Sequence, residues 1–145
     1  MAQARPVVGV GAVLIEDGRV LLIRRGKQPL RGRWSLPGGT VEAGETLEQA
    51  LEREMREETS LDVRVGPLIT AFDRIERRDG QLVYHHVIVD FLCERVSGEA
   101  RAGSDACALA WAAPEELPRY ELTPKALEVV SEGLRLAGAA GSAKP

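Results

Sequence analysis

The sequence predicts an α/β fold, specifically an α/β/α sandwich with a mixed β-sheet between helices. Three observations predict it. The periodic segments run strands, helix, strands, helix, which is not the regular βα alternation of a doubly wound parallel sheet. The strand candidates are rich in β-branched residues and are joined by Asp-Gly turns. The first helix candidate opens on a complete capping signature. A chain of 145 residues suits one core, so a single domain is expected over 1–136, followed by an Ala/Gly/Ser-rich tail, 137–145, expected to be flexible.

Val7–Ile15 reads as the first strand. Asp17-Gly18 then turns the chain into a second strand, Arg19–Arg24. Gly26 to Gly32 is a loop around Pro29, and Trp34-Ser35-Leu36 runs into the breaker Pro37-Gly38-Gly39. Thr46 to Thr59 is a helix, with Thr46 and Gln49 at capping-box spacing. Val63–Thr70, Ala71–Arg77 and Leu82–Glu94 read as strands, the last two joined through Arg78-Asp79-Gly80. A short strand, Ala108–Ala112, and a turn or single helical turn at Pro114–Leu117 follow. Thr123–Leu136 closes the pattern as a helix with Pro124 in its first turn.

Composition narrows the function. With 44% hydrophobic and 28% charged residues the chain looks like an ordinary globular protein. Its net charge of −3 argues against a nucleic acid polymer as partner, because such surfaces carry a clustered basic excess. Val7–Ile15 is too short to span a membrane and has no cleavage pattern after it, so no membrane association is expected and cytoplasm is the default. Cys93 and Cys107 lack metal-ligand spacing and read as two small, half-buried residues in a reducing compartment.

The first helix carries the chemistry. With Leu47 at 0° and an advance of about 100° per residue, Leu51 falls at about 40°, Met55 at about 80° and Ala50 at about 300°. That sector is the buried stripe. Glu54 falls at about 340°, Glu58 at about 20° and Glu57 at about 280° by the same advance. Two carboxylates therefore share the leucine face, and a third borders it. Carboxylates there repel one another and lose water, so something must compensate. Two arrangements would do so: ion pairs with Arg53 and Arg56, or a hard divalent cation such as Mg²⁺ or Mn²⁺, which prefers oxygen ligands.

Gly39-Thr-Val-Glu-Ala-Gly-Glu45, seven residues, then Arg53-Glu-Met-Arg-Glu-Glu-Thr-Ser-Leu61 resembles the box of the Nudix family, G-x5-E-x7-R-E-U-x-E-E-x-G-U, with U a bulky aliphatic residue. One fixed position departs: Ser60 stands where the family has glycine. The resemblance implies a Nudix-type sandwich and hydrolysis of a diphosphate linkage in a small nucleotide-type substrate. It implies Glu54, Glu57 and Glu58 as metal-binding glutamates with Mg²⁺ or Mn²⁺, Arg53 as the arginine holding one of them, and Gly38 as a carbonyl donor to the metal. Glu54, Glu57 and Arg53 are the expected catalytic residues. Glu45 matches the earlier box glutamate, whose role is more structural than catalytic.

By the same resemblance Asp105, six residues before Trp111, is a loop metal ligand or simply a turn aspartate. Arg25 is a phosphate-binding arginine or a solvated strand end. The family allows a homodimer. Its small bacterial ADP-ribose-cleaving members look most like this chain, with nucleoside triphosphate pyrophosphohydrolases as the alternative and a non-catalytic nucleotide-binding module as the non-enzyme rival.

Other residues stay open at this level. Trp34 could stack on a base or anchor the core behind the metal loop. His85 and His86 are strand neighbours facing opposite ways, so they do not share a metal. Glycine normally ends a helix in a left-handed conformation. Serine there would cost roughly 1–2 kcal/mol, so a shifted helix exit is expected at Ser60.

Overall fold

The computed structural model describes residues 5–26, 31–103 and 106–142. Strands β1 (Val7–Glu16) and β2 (Arg19–Arg25) form the expected hairpin. Asp17 and Gly18 both take positive φ, 51° and 74°, the two-residue turn that matches strand twist. Two short strands follow, β3 (Trp34–Ser35) and β4 (Gly38–Thr40), then helix α1 (Leu47–Thr59). The chain continues through β5 (Asp62–Arg78), β6 (Gln81–Ser97), β7 (Ala106–Ala112), a 3₁₀ helix at Pro114–Tyr120 and helix α2 (Pro124–Ser142).

The sheet is mixed, as the sequence predicts. Its strand order is β3-β2-β1-β6-β5, with β4 pairing β1 and β7 pairing β2. Among the described strands only β1 and β6 run parallel, from Val7 opposite His86 to Leu14 opposite Cys93. On its other side β1 pairs β4 at Gly9–Gly11 and β2 at Ile15–Glu16. The β2–β3–β7 part thus diverges from β1 beyond the hairpin, and the Gly38–Thr40 strand lies along the opened edge.

Two hydrophobic clusters occupy the two faces. Ala50, Leu51 and Met55 of α1 pack with Val10, Ala12, Leu14, Val89, Phe91 and Cys93. Val129 and Val130 of α2 pack with Val13, Val20 and Leu22. Alternate residues of β1 therefore face opposite helices, which is the period-2 pattern of a strand buried on both sides.

Several boundaries differ from expectation for physical reasons. The two strands expected to divide at Thr70–Ala71 are one 17-residue strand, β5. Register shifts between Val65 and Leu68 and between Leu68 and Thr70 absorb the Gly66-Pro67 interruption as bulges. β5 is the last strand of the order, an edge position that tolerates proline. Helix α2 runs past Leu136 to Ser142, into the segment expected as a flexible tail; Ala137, Ala139 and Ala140 are strong helix formers. In α2, Leu127 is exposed, whereas Val129 and Val130 are buried. Cys93 is buried and Cys107 exposed, and both are free thiols. No described helix is long and apolar enough to cross a membrane.

Candidate active site

Helix α1 begins as its sequence dictates. The Thr46 hydroxyl accepts from the Gln49 amide at 3.1 Å, and the Gln49 side chain accepts from the Thr46 amide at 2.9 Å. This closed box fixes the phase of the helix, and with it the direction of every glutamate further along.

Arg53 organises the glutamates. Its Nε and Nη2 donate to Glu45 at 2.7 and 2.9 Å, the two-pronged geometry that a guanidinium makes with a carboxylate. Nη2 also donates to the Thr40 carbonyl at 2.9 Å, tying α1 to β4. Nη1 donates to Glu54 at 2.9 Å and Glu57 at 3.3 Å. The Arg53 contact holds the Glu45 carboxyl well below its ordinary range, at about 2, and Glu45 in turn raises the arginine. Glu45 is thus the clamp on Arg53, which gives physical content to the structural role implied for it.

The three helix glutamates separate as their azimuths require. Glu58 is buried at 4% exposure, and its Oε1 accepts the Gly38 amide at 2.7 Å. The Glu54 side chain is 13% exposed and lies against Gly39. A Cβ on Gly39 would come within 2.5 and 2.6 Å of the Glu54 oxygens, so a side chain there would displace the Glu54 carboxylate. Glu57, at the border of the stripe, is 48% exposed.

The contacts of the two helix arginines bear on the two compensations raised by the sequence. Arg53 faces Glu45, Glu54 and Glu57, with Glu42 at 3.9 Å. Arg56, the other cation on the helix, turns instead to Asp62 at 3.6 Å. Among the described contacts this one guanidinium meets four carboxylates, and Glu58 lies buried on the same helix. Among the described residues no three acidic, histidine or cysteine side chains already converge on one point. The donor set is nonetheless hard and oxygen-only, on a rigid helix beside backbone carbonyls, which fits Mg²⁺ or Mn²⁺ and not a soft metal.

Ser60 corrects the expectation of a shifted exit. The helix ends there in place, with Ser60 at φ 63° and ψ 17° and its amide donating to the Arg56 carbonyl at 3.1 Å. Serine adopts the conformation that glycine would.

The remaining expected residues are dispersed around this helix. Arg25 ends β2; its amide donates to the Arg33 carbonyl, and a register irregularity separates it from Arg24. Trp34, on β3, pairs with Arg24 of β2 and packs edge-to-face on Tyr120, with ring centroids 5.1 Å apart. Trp34 is partly buried and packs against the α2-side cluster. Asp105 lies outside the described residues. His85 meets Asp73 at 2.8 Å, while His86 stacks on Tyr84. The two histidines do diverge.

One charged residue escaped the sequence reading. Asp90 on β6 is 3% exposed and lies over Gly11, which pairs with Gly38 on the other side of β1. Burial pushes its carboxyl up to about 6, against the attraction of Arg74 and Lys125. The available signal was a lone acid inside the apolar run Val87–Leu92.

Similarity to known proteins agrees with this geometry. The NUDIX domain model matches residues 5–132. The chain is 38% identical over 101 residues to an ADP-ribose pyrophosphatase of Methanocaldococcus jannaschii, covering 70% of this chain and 58% of that protein. It is 32% identical over 133 residues to a CTP pyrophosphohydrolase of Escherichia coli, covering 90% of this chain and 93% of that one. Its fold matches the crystal structure of a MutT NUDIX hydrolase from Burkholderia pseudomallei with a TM-score of 0.77 at 35% identity, over 88% of this chain and 98% of the other. The chain belongs to the Nudix family. The archaeal relative extends well beyond it: this chain spans 58% of that protein's length.

Proposed function

We propose that this protein hydrolyses a diphosphate linkage in a nucleoside diphosphate joined to a further group X. Water adds to one phosphorus and the bridging oxygen leaves on the other, giving two phosphate products. The observation that carries the proposal is the gathering of carboxylates on and before α1: Arg53 contacts Glu42, Glu45, Glu54 and Glu57 together, and Glu58 is buried on the same helix. Glu54, Glu57 and Glu58, with the Gly38 carbonyl and Asp105, would hold Mg²⁺ or Mn²⁺. A divalent cation there supplies charge neutralisation for diphosphate oxygens and a more acidic water.

The chain's own residues do the rest. Arg53 fixes Glu54 and Glu57 in one rotamer set through its tie to Glu45 and Thr40. The Gly38 amide orients Glu58. Arg25 is the proposed phosphate contact at the end of β2. Trp34 together with Tyr120, not the indole alone, is the proposed aromatic surface for the nucleoside. The protein acts in the cytoplasm, and a homodimer is consistent with the family.

ADP-ribose is the leading substrate, a reading supported by the name of the archaeal relative. Removal of pyrophosphate from a nucleoside triphosphate is the second reading, favoured by the Escherichia coli relative that this chain covers almost end to end. Incubation with ADP-ribose, nucleoside triphosphates and dinucleoside polyphosphates, each with Mg²⁺ or Mn²⁺, separates them by product. ADP-ribose should yield AMP and ribose phosphate. Release of pyrophosphate from a triphosphate instead would select the second reading, and no turnover on any member would reject both.

A further inference from the structure

The place where Ser60 replaces the family's helix-ending glycine is covered by a distant segment. The Arg101 amide donates to the Thr59 carbonyl at 2.8 Å, and the Gly103 amide donates to the Glu58 carbonyl at 2.8 Å. These are two of the last carbonyls of α1, which have no partner within the helix. Ser60 Oγ reaches the Arg101 carbonyl at 3.5 Å. Contact is close enough to exclude side chains. A Cβ on Gly103 would sit 2.7 Å from the Glu57 carbonyl carbon and closer still to its oxygen. A Cβ on Gly98 would sit 2.7 Å from the Ser60 carbonyl oxygen. The contacts fall on the backbone of Glu57, Glu58, Thr59 and Ser60, the turn that carries two of the proposed metal glutamates.

We infer that residues 98–103 form a strap that holds the last turn of α1 in register, making Gly103 a positioning residue for Glu57 and Glu58. The inference rests on the metal reading given above. The strap supplies from outside what a glycine at position 60 would supply from within. Its amides satisfy carbonyls that a frayed end would give to water, and its glycines let the two backbones approach to hydrogen-bonding distance. A helix end that opens swings Glu57 and Glu58 together, so metal binding and strap docking are one coupled equilibrium. Coupling of that kind is reciprocal: a metal held by the glutamates must also tighten the strap.

That reciprocity gives a test on the unmodified chain. Amide exchange is followed by NMR with and without Mg²⁺, and Mg²⁺ binding is measured separately by calorimetry. At Mg²⁺ ten times its Kd, exchange at Arg101 and Gly103 should slow on the order of tenfold, together with the last-turn amides of α1. A merely structural loop would leave those two amides unmoved. Gly103→Ala should weaken Mg²⁺ binding on the order of tenfold per folded molecule, and Ser60→Gly added to it should recover part of the loss. Unchanged exchange at Arg101 and Gly103 in the presence of bound Mg²⁺ overturns the strap; so does a folded Gly103→Ala protein that binds Mg²⁺ as tightly as the unmodified chain. Should Gly103→Ala fail to fold, the exchange result decides alone. An unmodified chain that binds neither Mg²⁺ nor Mn²⁺ overturns the metal reading, and the strap's positioning role with it.

Discussion

Arg53→Lys keeps the positive charge and removes the fork, so it separates electrostatic compensation from geometry. Arg53 makes five hydrogen bonds: two to Glu45 and one each to Thr40, Glu54 and Glu57. They leave three nitrogens in a fixed plane. A lysine ammonium gathers its donors at one point and reaches two of those partners at most. About three bonds are lost. Each charge-assisted bond is worth roughly 1.5–3 kcal/mol in a dry site, and partial exposure of the guanidinium, 21%, lowers that to about 0.5–1 kcal/mol each. The expected loss of stability is therefore about 2 kcal/mol, read by urea unfolding of the metal-free protein. Turnover should fall further, on the order of 100-fold, because a carboxylate displaced by about 1 Å loses that much. The assay is kcat at saturating Mg²⁺ on the substrate that the panel identifies. Turnover within threefold of the unmodified chain, alongside the stability loss, would show that Arg53 is only a tie between α1 and β4 and would refute the reasoning.

Two further substitutions probe separate contacts. Gly39→Ala places a methyl against the Glu54 carboxylate and should cut turnover by at least tenfold while thermal unfolding shifts little, checked by kcat and Tm on one preparation. Asp90 gives a pH signature. Its carboxyl titrates at about 6 when folded against 3.8 ordinarily, so the folded protein holds the proton more tightly. Stability attributable to that proton is complete below about pH 3.8 and is lost as pH rises through about 6, roughly 3 kcal/mol in all. Asp90→Asn should remove this decline, so its unfolding free energy relative to the unmodified chain should rise between pH 4 and pH 7; a constant difference would contradict the burial argument.

What was legible in the sequence was local. The phase of α1 followed from Thr46 and Gln49, and its azimuths foretold that Glu54 and Glu58 would lie inward and Glu57 at the border. The Asp17-Gly18 and Asp79-Gly80 turns marked both hairpins because two successive positive φ angles demand such residues. What was illegible depends on partners far along the chain. Asp90 is buried only because β6 lies parallel to β1, 79 positions from Gly11. The clamp of Glu45 on Arg53 needs α1 to be seated against the Thr40 carbonyl. The unshifted exit at Ser60 depends on residues 98–103, some forty positions downstream. β5 read as two strands divided at Thr70–Ala71, and only its pairing with β6 from Asp62 to Arg78 makes it one strand.

The central claim is that the α1 glutamates act on a phosphoanhydride and do not merely balance arginines. Glu57→Gln tests it most directly, because Glu57 is half exposed and makes only the 3.3 Å contact to Arg53 among its described side-chain partners. Its replacement should leave Tm nearly unchanged, since an exposed helix pair of this kind contributes about 0.3–0.5 kcal/mol. Turnover measured on the same sample should fall by at least 100-fold. A protein that unfolds at a lower temperature while each folded molecule turns over at the unmodified rate would show that the glutamate serves the ion-pair network and not the reaction.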